Sequence, residues 1–518
     1  MKLNTKRTIL VGFAFFLICT FWQAYDSIVP LILTNKFGMS QTWSGVIMAI
    51  DNILALFMLP MFGTISDKCK HRSGRRTPFI MAGTIVAVAA FIGLSFVDAA
   101  QLDKLSEVAK IDDAAALETI YESQADAVLQ TPEGENFVLS DTFTLEQFQQ
   151  ITLEIEEGGK KITNPDYTNY VVPARQACAA QITSADPSAL ILFVALLLVV
   201  LLSMATFRSP AVALMPDVTV KPLRSKANAI INLMGTAGGI VVLLLGKVFA
   251  TGAAKNALMN YVVFFGIVGG IMLVALIVFR LTVKEPKWVE EMRADSIKYG
   301  VEKEEQVVSG QARKLSSAEF RSLIFMLLSV VLWFFGYNAI TSKYSVYAAN
   351  VLDKDFNTTL LLAQAAAIVA YIPVGIVASK LGRKKTILIG VAMLAVAFGG
   401  ASFIRSDSPM LLMNALFILA GVAWATINVN SFPMVVEMST GSDVGKYTGF
   451  YYTASMAAQT LTPMVSGFLM DQPKFGMTIL FPYGTVFVCL AFVTMLFVKH
   501  GDAKVEAKKG LEAFDNDD

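Results

Sequence analysis

Charge is scarce in this chain: Asp, Glu, Lys and Arg make up 16% of its 518 residues, where a soluble domain carries about 25%. A soluble reading would need three or four domains with charged surfaces that this composition does not supply. Histidine occurs only as His71 and His500, and cysteine four times. There is no histidine–cysteine cluster with metal-ligand spacing, and neither histidine stands near a nucleophile in sequence context. No Gly-x-x-x-x-Gly-Lys-Ser/Thr loop occurs either. An enzyme, a metal centre and an ATP-driven pump of that type are therefore not expected, and no cofactor is called for. A net charge of +1 gives no ground for a nucleic-acid partner.

Apolar residues are plentiful, at 55%. A helix that crosses the roughly 30 Å hydrocarbon layer needs about 20 mainly apolar residues. Twelve such stretches start near Ile9, Thr42, Pro78, Ser188, Lys226, Leu258, Ser322, Thr358, Thr386, Met410, Lys446 and Gly476. The run from Ile9 to Leu33 is too long for a signal-peptide core, so a retained first span is expected. Basic residues collect in alternate loops: Lys68, Lys70, Arg72, Arg75 and Arg76, then Lys221, Arg224 and Lys226, then Lys380, Arg383, Lys384 and Lys385. Segment 98–187 falls on the other face and holds 17 acidic and 5 basic residues. The positive-inside rule puts the basic loops and both termini in the cytoplasm of a multi-pass cell-membrane protein, with the lipid bilayer as its surroundings. Cys19 and Cys489 fall in spans, Cys69 in a basic loop and Cys178 alone on the acidic face, so no disulfide is expected.

The chain repeats itself. Gly63-Thr-Ile-Ser-Asp67 through Gly74-Arg75-Arg76 follows the second span, and Gly375 through Ser379, Gly382, Arg383 and Lys384 follows the eighth. Gly74 and Gly382 lie 308 residues apart. Further on, Ala205/Ala425, Asp217/Glu437 and Lys226/Lys446 lie 220 apart. The first copy therefore carries 88 extra residues, which is the size and place of segment 98–187. The expected fold is an all-α membrane protein of twelve transmembrane helices in two six-helix halves. Its divisions are 1–97 (helices 1–3), an extracytoplasmic insertion 98–187, 188–281 (helices 4–6), a cytoplasmic linker 282–321, 322–498 (helices 7–12) and a tail 499–518. The insertion reads as a small, partly helical cap, with helix-favouring runs at 101–130 and 145–157. Parallel six-helix repeats are the major-facilitator arrangement, with a solute site at midplane between the halves.

The loop Gly63-Thr-Ile-Ser-Asp67-Lys-Cys-Lys-His-Arg72-Ser-Gly74-Arg75-Arg76-Thr-Pro78-Phe79-Ile80 resembles the signature loop of the sucrose-transporter-like branch of the major facilitator superfamily, within the glycoside–pentoside–hexuronide:cation symporters. Arg208-Ser-Pro210-Ala-Val-Ala213-Leu-Met-Pro-Asp217 is similar to that family's Gly-Pro-Ala-Arg-Ala-Leu-Leu-Ala-Asp segment. The resemblance implies cation-coupled uptake of a glycoside such as sucrose or maltose, with H⁺ as the coupling ion. It breaks at Val212, where plant relatives carry arginine, and at Leu59 before Pro60, where melibiose-type relatives carry a carboxylate.

Ionisable groups deep in a membrane cost about 3 kcal/mol each and mark pathways. Away from span ends the chain has Asp26, Asp51 and, toward the basic end of helix 4, Arg208. A proton carrier needs a carboxyl that alternates between environments, because burial favours its protonated form and a nearby arginine its ionised form. One of the two aspartates is expected to hold the proton, with Arg208 as its counter-charge. A sugar site wants neutral hydrogen-bonding groups and flat aromatic faces. The spans offer Trp22, Gln23, Tyr25, Asn52, Asn228, Asn232, Trp333, Tyr337, Asn338, Gln364, Trp424, Asn428 and Tyr452. In the loops, Asp67, Arg75 and Arg76 with Asp217, and Arg383 and Lys384 with Glu437, are expected to latch the two halves on the cytoplasmic side. The protein is expected to work as a monomer; the competing readings are an exporter or facilitator of another small solute, and a membrane sensor using the insertion to bind a partner.

Overall fold

A computed structural model describes residues 3–157, 160–220, 223–298, 316–436 and 444–500. Within it the apolar stretches form twelve long helices: α1 (Thr5–Leu31), α2 (Gln41–Asp67), α3 (Thr77–Lys104), α4 (Ser188–Val218), α5 (Arg224–Val248), α6 (Val262–Thr282), α7 (Ser317–Tyr347), α8 (Phe356–Leu381), α9 (Arg383–Ala401), α10 (Met410–Val436), α11 (Val444–Met470) and α12 (Leu480–Leu496). Ten candidate spans are long and apolar enough to cross a membrane; α8 and α11 complete the bundle. The caps follow local chemistry. The Asn4 side chain accepts from the Arg7 amide, Ser40 from Trp43 and Asp355 from Asn357 and Thr358, each relieving an amide left free by the first helical turn. Ser316 and Glu319 form a capping box at the start of α7.

Helix pairing displays the repeat. In the first half α1 packs on α5 and α6, and α3 on α4; in the second α7 packs on α11 and α12, and α9 on α10. Across the halves α2 meets α11, α8 meets α5 and α1 meets α7, the exchange expected of a two-fold axis relating the halves. Helices α1 and α7 both run on into a π-helical turn, Ile32–Lys36 and Ala348–Leu352. Those turns meet on the axis, where the Asn35 and Asn350 side-chain amides bond at 2.7 and 3.2 Å.

Helix α3 continues to Lys104, past the boundary expected at residue 98, because Asp98 has a partner inside the bundle. The Lys36 ammonium sits on both Asp98 carboxylate oxygens at 2.7 Å and donates to the Met259 carbonyl, with both side chains fully buried. The insertion is more mixed than a helical cap. It holds helices Ala114–Gln124 and Val172–Ala185, shorter helical turns, and two antiparallel hairpins, Val128–Gln130 with Asn136–Val138 and Glu154–Glu157 with Lys160–Thr163. Its own apolar core includes Leu117, Ile120, Leu139, Phe148, Tyr167, Val171 and Cys178. The linker begins as a helix, Glu285–Lys298, that folds back on the first half: the Glu285 carboxylate accepts from the Arg75, Arg76 and Thr77 amides and the Thr77 hydroxyl. It thereby caps α3 from outside the helix.

Candidate functional site

Helices α1, α2, α4, α7 and α11 surround a cavity of about 210 Å³ between the halves. Its walls bring together Trp22, Asp26, Asp51, Asn52, Arg208 and Asn338 from the expected site, and add Met48, Thr341, Ser342, Gln459 and Pro463. The spacing of Trp22 and Asp26 puts both on one face of α1, while Asp51 and Asn52 stand ten residues into α2. Asp26 is exposed to the cavity, and among the described residues its carboxylate has no hydrogen bond or ion pair. Asp51 accepts from the Asn52 amide at 2.9 Å. Arg208 lies over the Trp22 ring, 5.6 Å from its centroid, in cation–π geometry. It makes no ion pair within 4 Å with either aspartate, so one cation and two carboxylates share the space without being locked together.

On the lining, two buried polar atoms lack a partner among the described residues, Trp22 Nε1 and Asn338 Nδ2; off the lining, Tyr25 Oη and Gln364 Oε1 lack one too. Such groups are costly unless something bonds them, and the two on the lining are both donors. Gln364 reaches Gln23 across the halves at 2.6 Å. In the second half Tyr337 stacks on Trp424 at 3.6 Å and 6°.

The remaining expected residues, Gln23, Tyr25, Tyr337, Gln364 and Trp424 among them, are not on the cavity lining. Trp333 is fully buried in the core, where its ring fills space that a solute does not reach. Asn232 bonds Asn228 at 3.4 Å on α5, and neither is on the cavity lining. Asn428 pairs with Tyr371. Tyr452 is exposed and packs near Phe432. Among the described residues the signature-loop arginines bond within the first half: Arg75 bonds Asp217 at 2.6 and 3.1 Å, and Arg76 bonds Asp217 at 2.8 Å and also Asp67 and Ser66. All of these partners belong to the first half, because the α2–α3 loop and the end of α4 are neighbours there. Among the described residues, Asp67, Arg75, Arg76 and Asp217 thus form a clamp within one half. Lys384 donates to the Leu496 carbonyl of its own half at 3.0 Å, and Arg383 starts α9. Glu437 and the side chains of Ser379, Lys226 and Lys446 lie outside the described residues.

The halves are joined on the insertion side. Two α2 amides, Gln41 and Thr42, donate to the Asp471 carboxylate at the end of α11, at 2.8 and 2.7 Å. Lys343 of α7, fully buried, donates to the Gln41 carbonyl at 2.7 Å. Gly45 and Gly467 let α2 and α11 touch backbone to backbone, where any side chain would collide with Pro463 or Gln41.

A model of the Major Facilitator Superfamily matches residues 174–370 and 355–514, and a model of MFS/sugar transport proteins matches 11–101. The chain belongs to the Major Facilitator Superfamily. It is a membrane transporter, not an enzyme. It is 27% identical over 127 residues to an uncharacterized MFS-type transporter of Methanocaldococcus jannaschii, covering 24% of this chain and 30% of that one. It is 35% identical over 72 residues to sucrose transport protein SUC4 of Arabidopsis thaliana, covering 12% and 14%. The chain thus spans less than a third of the length of either curated relative. Among solved structures, the inward-open xylose transporter XylE of E. coli aligns over 96% of this chain and 97% of its own, at 14% identity and a TM-score of 0.58. A bacterial homologue of the iron transporter ferroportin in an inward-facing state aligns over 96% and 99%, at 12% identity and a TM-score of 0.57. These two establish the twelve-helix transporter fold.

Proposed function

We propose that this transporter takes up a neutral glycoside, of the sucrose or maltose kind, together with a proton, working in the cell membrane with both termini in the cytoplasm. The observation that carries the reading is the central cavity. A partner-free carboxylate (Asp26), a second carboxylate (Asp51) and an unpaired arginine (Arg208) share it with amides, hydroxyls and an indole. The neutral groups suit sugar hydroxyls and the Trp22 face suits a sugar's C–H patches, while a carboxylate free of partners can take and release a proton. A single arginine is too little for an organic-anion carrier. The short match to a sucrose transport protein and the sugar-transport family model over α1–α3 support the same solute class. With the insertion side sealed by α2 and α11, the cavity would face the cytoplasm and release solute there.

Asp26→Asn and Asp51→Asn test the coupling. At least one should abolish accumulation driven by an inward proton gradient while leaving downhill exchange of the same sugar in place. Normal gradient-driven accumulation in both variants would refute the proton assignment.

A further inference from the structure

A second cavity of about 210 Å³ lies on the insertion side of the α2–α11 seal. The two cavities draw on the same two helices: α2 gives Gln41 to the outer one and Met48, Asp51 and Asn52 to the central one, and α11 gives Met470 to the outer and Gln459 and Pro463 to the central. Seven residues of α2 separate Gln41 from Met48, so the plug between them is ~10 Å thick at 1.5 Å per residue. About half of the outer wall comes from the insertion, through Gln130, Thr131, Gln176 and their neighbours, and the rest from the α1–α2 link and start of α2, the π turn after α7, the end of α11 and Met477 before α12.

The roof is pinned to both halves. Gln176 donates to Asn35 of the first half at 2.9 Å. Gln130 donates to the Gln472 carbonyl of the second at 3.0 Å, the Thr478 amide donates to the Pro132 carbonyl, and Thr163 donates to Asp353. Gly38, with φ of +64°, turns the chain from α1 to α2 directly under the backbone of Ala180, where a side chain has no room. The lining contains no lysine or arginine, and its one carboxylate, Asp471, is occupied by the α2 amides. The rest of the polar lining is Ser40, Gln41, Gln130, Thr131, Gln176 and Asn350, of which the Gln130, Gln176 and Asn350 amide nitrogens already donate to Gln472 and Asn35, beside methionine and proline side chains.

We infer that the insertion completes an outer binding site for a neutral polyhydroxylated solute, held above the closed gate before it enters the central cavity. This rests on the glycoside reading given above. A charged solute would find no counter-charge here, whereas sugar hydroxyls can bond to amides and sugar C–H faces can lie on the apolar side chains. Because the roof touches both halves, rocking of the halves must break the Gln130, Thr478 and Thr163 contacts, so the site opens as the gate does.

The test is binding stoichiometry of radiolabelled sucrose and maltose on the purified full-length protein. Two sites per chain are expected. Gln130→Ala with Gln176→Ala should remove one site, and Asn52→Ala with Asn338→Ala the other. Losing two hydrogen bonds at the outer site should raise the uptake KM roughly tenfold with little change in kcat. Ala177→Phe, which fills the outer cavity without touching its anchors, should have the same effect if the double variant proves unstable in gel filtration. One site per chain, lost only with Asn52 and Asn338, overturns the outer site and leaves the glycoside reading standing. No binding of either sugar to any variant or to the wild type sinks both.

Discussion

At the scale of single residues, the buried charges divide into two kinds. Asp26 and Asp51 face a cavity, and Arg208 faces them without an ion pair; Lys36 and Asp98 hold one another out of reach of solvent. The first arrangement costs stability unless it does work, while the second is structural. Removing one partner of a buried pair strands the other charge and costs about 3–5 kcal/mol. Lys36→Met should therefore lower the thermal midpoint sharply, and adding Asp98→Leu should restore much of the loss; equal melting of wild type and Lys36→Met would contradict a structural role. The cavity aspartates were legible because they interrupt apolar runs far from a span end. Lys36, Asp98 and Lys343 were not, since each lies near a predicted end. The π turn after α1 and the extension of α3 carry the first two into the bundle, and α7 with its own π turn does the same for Lys343.

At the scale of elements, long apolar runs located all twelve helices within a few residues, because a membrane span is long and strongly apolar. The internal repeat placed the insertion for the same reason, since two copies of one pattern fix what has been added between them. The fold within the insertion was harder to read. Runs with helical composition at 128–130 and 154–157 are hairpin strands instead, a choice made by packing against its small core. Cys178 belongs to that core, and burial pushes its thiol above the ordinary range. At pH 7 its thiolate fraction is then lower than that of a free thiol, so maleimide should label it slowly in native protein and readily after unfolding; rapid native labelling would mean the core is open. The pairing of Arg75 and Arg76 with Asp67 and Asp217 was legible in the sequence, but not that it closes within one half, because sequence says which charges share a face and not which half they join. At the outer gate, Gly45 is the point where α2 lies on Pro463. Gly45→Leu should keep that gate from sealing, seen as increased labelling of Gln459→Cys by an impermeant maleimide applied from the insertion side. Unchanged labelling would place the gate elsewhere.

At the scale of the whole molecule, two helical halves joined by an outer seal and enclosing a charged polar cavity are the parts that alternating access requires. The seal is built from an Asp471 carboxylate on the amino end of α2 and a Lys343 ammonium on its first carbonyl. These contacts can form and break as units, so rigid rocking can switch them without remodelling either half. The central claim is that this motion is driven by a proton and carries a glycoside. Its most direct test is uptake of labelled sucrose, maltose and other glycosides into liposomes containing the purified protein, with and without an inward proton gradient. The account predicts saturable accumulation of at least one glycoside that appears only with the gradient. Absence of saturable uptake for every glycoside under both conditions would contradict it.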